Sequence, residues 1–98
     1  GEKIKENALY LLDEPENSLS PQRQQELVGF LEVSARFFGC QFIIATHSPI
    51  LLGLPGAAIF SFSNSTLSPV SYEETESYQI TKMFLENRER LLTELFEE

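Results

Sequence analysis

The sequence predicts an α/β fold, with parallel strands flanked by helices and a C-terminal helical tail. Three observations carry this expectation. Two short apolar runs, residues 8–12 and 40–46, each end abruptly in polar residues. An amphipathic helical pattern lies between them. Together they occupy about 40 residues, the size of one parallel crossover unit, and such units are right-handed in about 98% of cases.

The first run, Ala8-Leu-Tyr-Leu-Leu12, stops at Asp13-Glu14-Pro15. A short continuous apolar run reads as a strand buried on both faces. Leucine is a weak strand former, so this assignment rests on length and on the acidic stop. Residues 16–20, Glu-Asn-Ser-Leu-Ser, read as loop. Ser20-Pro21 is a helix start: a hydroxyl N-cap, then proline at the first helical position. The helix is expected to reach about Phe38. Leu27, Phe30, Leu31, Ser34 and Phe38 share one face, which Val28 and Ala35 widen. Gly39 is the expected left-handed stop. Gly29, inside the helix, costs roughly 1 kcal/mol relative to alanine. It marks either a close approach or a tolerated weak spot.

Cys40 to Thr46 reads as the second strand, with Phe42, Ile43, Ile44 and Ala45 as its buried run. It ends at His47-Ser48-Pro49, where Ser48-Pro49 repeats the cap-plus-proline signal. A short helix over Pro49 to Leu52 follows, stopped by Gly53 and Pro55. Ala57 to Ser63 predicts a third strand, Asn64-Ser65 a turn, and Val70 to Tyr72 a short partner strand. From about Thr75 the pattern is helical, with Ile80, Met83 and Phe84 on one face. Asn87 is positioned to cap a last helix carrying Leu91, Leu92, Leu95 and Phe96. These apolar stripes are expected to be core, and Glu73-Glu74 and Glu97-Glu98 solvated surface. Tyr10, Tyr72 and Tyr78 have no arrangement that points to chemistry.

Ninety-eight residues allow one small domain. A chain that is 42% hydrophobic and 22% charged is expected to be globular rather than disordered. Fifteen acids against seven bases give a net charge of −8, spread over both halves. Without a Lys/Arg cluster, the chain is a poor candidate for gripping a nucleic-acid backbone by itself. The single cysteine, Cys40, excludes an intrachain disulfide and a cysteine metal cluster, and fits a reducing cytoplasm. The apolar runs fall far short of the roughly 20 residues of a membrane span. The polar, charged start does not read as a signal peptide. A first residue of Gly rather than Met leads us to expect a chain that is processed, tagged or cut from something larger.

Parallel strands place their C-terminal ends on one edge of a sheet, and ligands of open α/β sheets bind beyond that edge. Asp13 and Glu14 end the first strand; His47 ends the second. With the strands adjacent, about 4.8 Å apart, or separated by one other, these side chains address one small ligand. An acid at a strand end can hold a divalent metal, directly or through water. Magnesium takes few protein carboxylates when it serves a phosphate. The adjacent acid can polarise a water. A neutral histidine can donate to a phosphate oxygen or orient that water. The trio resembles the hydrolytic half of a phosphoryl-transfer site. Blander readings stand beside this one. Asp-Glu-Pro can be a polar strand exit, and His47 a structural residue ahead of a helix cap. Two polar stops after apolar strands, at crossover spacing, tip the balance towards chemistry.

The stretch Leu9-Tyr-Leu-Leu-Asp-Glu-Pro-Glu-Asn-Ser-Leu-Ser20 resembles the Walker B strand and D-loop of ABC-type ATPases. Ile43-Ile-Ala-Thr-His-Ser-Pro49 resembles their H-loop. The Thr-His-Ser-Pro form is similar to soluble ABC-like ATPases of the chromosome-maintenance, DNA-repair and overcoming-lysogenization-defect groups. The tail, with Tyr72, Thr75, Tyr78, Thr81, Phe84-Leu85, Asn87, Arg90, Leu91 and Leu95-Phe96-Glu97-Glu98, is similar to that of soluble AAA/ABC-like ATPases. The resemblance implies a partial P-loop NTPase (ABC-ATPase-like) fold that binds ATP and Mg²⁺. It implies that Asp13 holds Mg²⁺, usually through water, that Glu14 activates or orients the attacking water, and that His47 contacts the γ-phosphate. Asn17, Ser18, Leu19 and Ser20 match the D-loop, which in such ATPases crosses to a second subunit and so implies a homodimer. Where that loop usually carries aspartate, this chain has Ser20.

No Gly-x-x-x-x-Gly-Lys-Ser/Thr occurs, and the ABC signature segment is missing too. Residues 1–98 therefore resemble the C-terminal half of a single nucleotide-binding domain. The strand leading into the phosphate loop, which would lie beside the H-loop strand, is absent. The apolar edge this leaves is expected to be sticky, so that the piece dimerises, pairs with a missing segment or rearranges. The expected function is that of a fragment of a cytoplasmic ATPase, inactive alone. The alternatives are an ATP-independent interaction module docking through Leu91, Leu92, Leu95 and Phe96, and a metal-dependent phosphoesterase built on Asp13, Glu14 and His47.

Overall fold

The computed structural model describes residues 5–96. The chain divides into two compact units, one ending at Ala57 and the other starting at Ala58. In the first unit, β1 (Leu9–Asp13) and β2 (Gln41–Ala45) form a two-stranded parallel sheet, joined by α1 (Pro21–Phe38). The pairing is direct, with Leu9 opposite Gln41 and Asp13 opposite Ala45.

Both ends of α1 follow from local chemistry. Ser20 has extended backbone, and its hydroxyl accepts from the Arg23 amide at 3.2 Å; Pro21 starts the helix. Gly39 stops it with φ 66°, its N–H donating to the Ser34 carbonyl. A side chain there would run into the carboxamide of Asn7, whose own amide donates to the Phe38 carbonyl at 2.8 Å. The segment entering β1 is thus stitched to the end of α1. By contrast, a Cβ at Gly29 meets nothing within 4 Å, which makes that glycine a weak spot rather than a close approach.

The core of this unit is small: Leu31, Cys40 and Leu51 are each at most 5% exposed, with the Ser34 hydroxyl satisfied by the Phe30 carbonyl at 2.8 Å. Leu27 and Val28 are half-buried beside them, whereas Phe30, Ala35 and Phe38 are exposed. The covered stripe of α1 is therefore narrower than its sequence pattern.

A second correction concerns the sheet. Exposure alternates along both strands. Tyr10, Leu12, Phe42 and Ile44 are half-buried, and the Tyr10 and Phe42 rings stack 5.5 Å apart. The opposite face is open, with Leu11 71% and Ile43 62% exposed. The strands are not buried on both faces, because α1 packs against only one. A continuous apolar run identifies a strand but does not say how many of its faces have a neighbour.

In the second unit, β3 (Ile59–Ser63) and β4 (Thr66–Val70) form an antiparallel hairpin. Asn64 and Ser65 turn it with φ 52° and 62°, the double left-handed geometry of a type I′ turn. The partner strand therefore starts directly after the turn, and not at Val70 as the sequence led us to expect. Pro69 lies inside this strand. Its place opposite Phe60 is a non-hydrogen-bonded position counted from the turn, so its missing N–H costs the ladder nothing.

A 3-10 turn, Tyr72–Glu74, leads into α2 (Glu76–Glu86), which is followed by α3 (Arg88–Phe96). Thr75 caps α2 by accepting from the Tyr78 amide at 3.3 Å. Glu74 is more than solvated surface, since its carboxylate accepts from the Ser71 amide at 2.8 Å. Asn87 does not act as expected either: its Nδ2 donates back to the Met83 carbonyl at 3.1 Å, closing α2. Neither helix has a buried residue. Ile80, Met83, Leu95 and Phe96 are more than half exposed, Phe84 is 39% exposed, and Leu91 and Leu92 are only half-buried, so these stripes are not core among the described residues. Glu97 and Glu98 lie outside them.

Candidate active site

The parallel register brings the expected residues to one rim. Asp13, the last residue of β1, pairs with Ala45, the last of β2. The Glu14 amide then donates to the Ala45 carbonyl at 2.7 Å, extending the ladder by one bond. His47 follows two residues later at the same C-terminal edge. All three residues are exposed. Asp13 is in phase with Leu9 and Leu11, on the open face of the sheet. Glu14 has φ 48°, a left-handed backbone that a non-glycine residue adopts at a cost of about 1–2 kcal/mol. Strain of this kind persists only where the surrounding structure over-determines it, and it gathers at functional sites.

The loop between β1 and α1 is a chain of tight turns. The Asn17 amide donates to the Glu14 carbonyl at 3.1 Å, and the Leu19 amide to the Glu16 carbonyl at 2.9 Å. Ser18 is left-handed at φ 68°, and Asn17 and Ser18 are exposed at the loop's tip. Leu19 is half-buried, and its carbonyl accepts from Gln24 Nε2 at 3.0 Å. The Ser20 hydroxyl is engaged as the α1 cap.

Sequence reasoning passed over the residue that ties the rim together. Glu16 Oε1 accepts from the Thr46 hydroxyl at 2.6 Å, and Oε2 accepts from the His47 amide at 3.2 Å. Burial raises the Glu16 pKa, but the bonds from Thr46, from its own backbone and from His47, together with the histidine's charge, outweigh it. The carboxyl is held below its ordinary value. Thr46 Oγ1 also accepts from the Ser48 amide at 3.0 Å. The buried Ser48 hydroxyl donates to Gln24 Oε1 and accepts from the Ile50 and Leu51 amides at 3.2 and 3.1 Å, starting the 3-10 turn Leu51–Gly53. The cap at Ser48 was legible in the sequence, although the short helix is 3-10 and starts later than expected. The partnerships of Glu16 and Gln24 were not, because no local periodicity links residues 24 to 31 positions apart. The one available signal was a third acid, Glu16, directly beyond Asp13-Glu14-Pro15.

Among the described residues, no group of three His, Cys, Asp or Glu side chains is placed to hold a metal ion. Asp13, Glu14 and His47 are thus not a closed ligand set. A lone exposed carboxylate at a strand end does fit the way Mg²⁺ is held when water and substrate phosphates supply most of its ligands. A shallow hollow lined by Tyr78, Lys82, Met83 and Asn87 lies on α2, in the other unit.

A family model described as "AAA domain, putative AbiEii toxin, Type IV TA system" matches residues 2–53, more than half of the chain. The chain belongs to this family. The matched segment contains β1, the loop at Glu14 to Ser20, α1, β2 and the turn after His47. Membership makes the chain an AAA-type domain of the P-loop NTPase kind, an ATPase-like nucleotide-binding module of a class that typically uses Mg²⁺. The two-stranded parallel sheet with its helices is compatible with part of that fold. No curated protein matches the chain. No helix among the described residues is long and apolar enough to cross a membrane.

Proposed function

We propose that residues 1–98 are the C-terminal half of one ABC-like nucleotide-binding domain, belonging to a cytoplasmic ATPase that works as a homodimer. The observation that carries this reading is the Asp13–Ala45 register, which sets two acids and one imidazole on a common rim. In this reading Asp13 holds Mg²⁺ through water. The bound metal neutralises phosphate charge as it develops. Glu14 accepts a proton from, or orients, the attacking water. The His47 imidazole donates to the γ-phosphate. Asn17 to Ser20 form the D-loop and reach the second subunit; Ser20, engaged as a cap, offers that subunit less than Asn17 and Ser18, which are exposed. The phosphate cradle, for which this sequence has no motif, belongs to the other half of the domain.

Two measurements test this. The isolated chain should not hydrolyse ATP, and turnover above about 1 s⁻¹, within the ordinary enzyme range, would refute the assignment. In the full-length protein, Glu14→Gln should leave ATP binding largely intact and abolish most turnover; unchanged turnover removes Glu14 from its role. A second reading, an ATP-independent docking module, draws on the exposed apolar faces of α2 and α3, where Leu85, Leu95 and Phe96 are 69–79% exposed. A stable complex that ignores Asp13→Ala would favour it.

A further inference from the structure

We infer that Glu16 is a positioning residue, a two-pronged strap that fixes the backbone of His47 through the Thr46 hydroxyl and the His47 amide. The inference rests on the role proposed above for His47 and adds a residue to that site. The geometry is specific. One carboxylate oxygen takes the side chain of residue 46 at 2.6 Å, and the other takes the main chain of residue 47 at 3.2 Å. Both prongs come from the loop leaving β1, and both donors sit on the loop leaving β2. A single bond would leave a hinge between the two loops. Two bonds to one planar carboxylate, with donors on consecutive residues, remove that freedom.

The strap does not stand alone. Thr46 Oγ1 relays to the Ser48 amide at 3.0 Å, and the Ser48 hydroxyl closes on Gln24 of α1. Gln24 in turn holds the Leu19 carbonyl at 3.0 Å. The path therefore returns to the loop from which it started. Residues 16–20 and 46–48 are bound as one ring of hydrogen bonds, with the first turn of α1 inside it. The His47 side chain is exposed, and the ring hydrogen-bonds only its backbone, the imidazole meeting Glu16 through charge alone. The imidazole is thus free to address a ligand while its Cα is held.

Substitutions at both ends separate hydrogen bonding from shape. Glu16→Gln keeps the side chain's bulk and turns one acceptor into a donor. Thr46→Val keeps the branched bulk and deletes the hydroxyl, whereas Thr46→Ser keeps the hydroxyl and drops the branch. The first readout is amide hydrogen exchange at His47 in the chain without nucleotide. Glu16→Gln should quicken it about tenfold, the loss of a bond to a charged acceptor, with the Leu31 amide as the control for intact folding. The second readout is ATP turnover of the full-length protein. Glu16→Gln and Thr46→Val should lower kcat about tenfold with KM unchanged, and Thr46→Ser should recover most of the loss.

Unchanged exchange at His47 in both Glu16→Gln and Glu16→Leu, the second with no acceptor left, overturns the strap. Quickened exchange with unchanged kcat, where His47→Ala does lower kcat, overturns the positioning role. Thr46→Ser failing as badly as Thr46→Val overturns it too, since packing and not the hydroxyl would then be responsible. An inert His47→Ala refutes the functional reading and the catalytic use of the strap together. The exchange measurement tells that failure from a failure of the strap's geometry.

Discussion

Glu14 stands in a conformation that its side chain does not favour, and relieving it should stabilise the fold. The substitution is Glu14→Gly. At φ 48° the left-handed backbone costs an L-residue about 1–2 kcal/mol. Glycine removes that cost but brings extra freedom to the unfolded chain, offsetting about 0.5–1 kcal/mol. The bond from residue 14's amide to the Ala45 carbonyl survives the change, and the lost side chain is exposed. The net expectation is a gain between about 0 and 1.5 kcal/mol, centred near about 0.75 kcal/mol. With a urea m-value of about 1 kcal/mol/M, the unfolding midpoint should rise by about 0.75 M, and by no more than about 1.5 M. Glu14→Ala is the control. It removes the same carboxylate and keeps the strain, so its midpoint should move by less than about half as much in either direction. Equal midpoints for the glycine and alanine variants, or a fall on Glu14→Gly, would refute the argument that the backbone is strained. In the full-length protein both variants should lose turnover. Greater stability with less activity is the expected trade where a residue is held in place for its chemistry.

Two further expectations concern α1 and acid. Gly39→Ala meets both a left-handed backbone and the Asn7 carboxamide, so it should cost at least about 1–2 kcal/mol. Gly29→Ala enters open space in a helix interior and should raise stability by about 0.5–1 kcal/mol in the same urea titration. The Glu16 carboxyl titrates below its ordinary 4.5 in the folded chain. Its contribution to stability is therefore fully present above that value and is lost as pH falls through the lower, folded one. Glu16→Gln should be destabilising at pH 7, and its cost should shrink as pH falls below 4.5 and through the lower, folded value. Because Glu74 is shifted the same way by its bonds to Ser71, Glu74→Gln serves as the comparison in the second unit.

The placement of the candidate residues at the strand ends could be read before any coordinates. The acidic stop after one apolar run and the histidine after the next both depend on local pattern, and so did the caps at Ser20, Ser48 and Gly39. What could not be read was long-range partnership. Glu16 looked like one polar loop residue among five, and its importance comes from Thr46 and His47, 30 and 31 positions away. The start of β4 at Thr66, and not at Val70, was missed for a related reason. A proline speaks against a strand until the pairing register shows that its missing N–H points away from the partner.

The amino-acid order by itself determined most of the local elements, with β4, the 3-10 turn after Ser48 and the role of Asn87 as exceptions: where chains turn, where the long helix starts and stops, and which runs form the parallel pair. These depend on neighbours a few residues apart, through capping hydroxyls, left-handed glycine and apolar spacing. Only the tertiary structure decided which faces are covered. The runs Leu9 to Leu12 and Phe42 to Ala45 are apolar enough for a sheet wrapped on both sides, yet one side is open. Apolar character expresses a preference to leave water, and contact is made only where another layer of the fold is there to receive it.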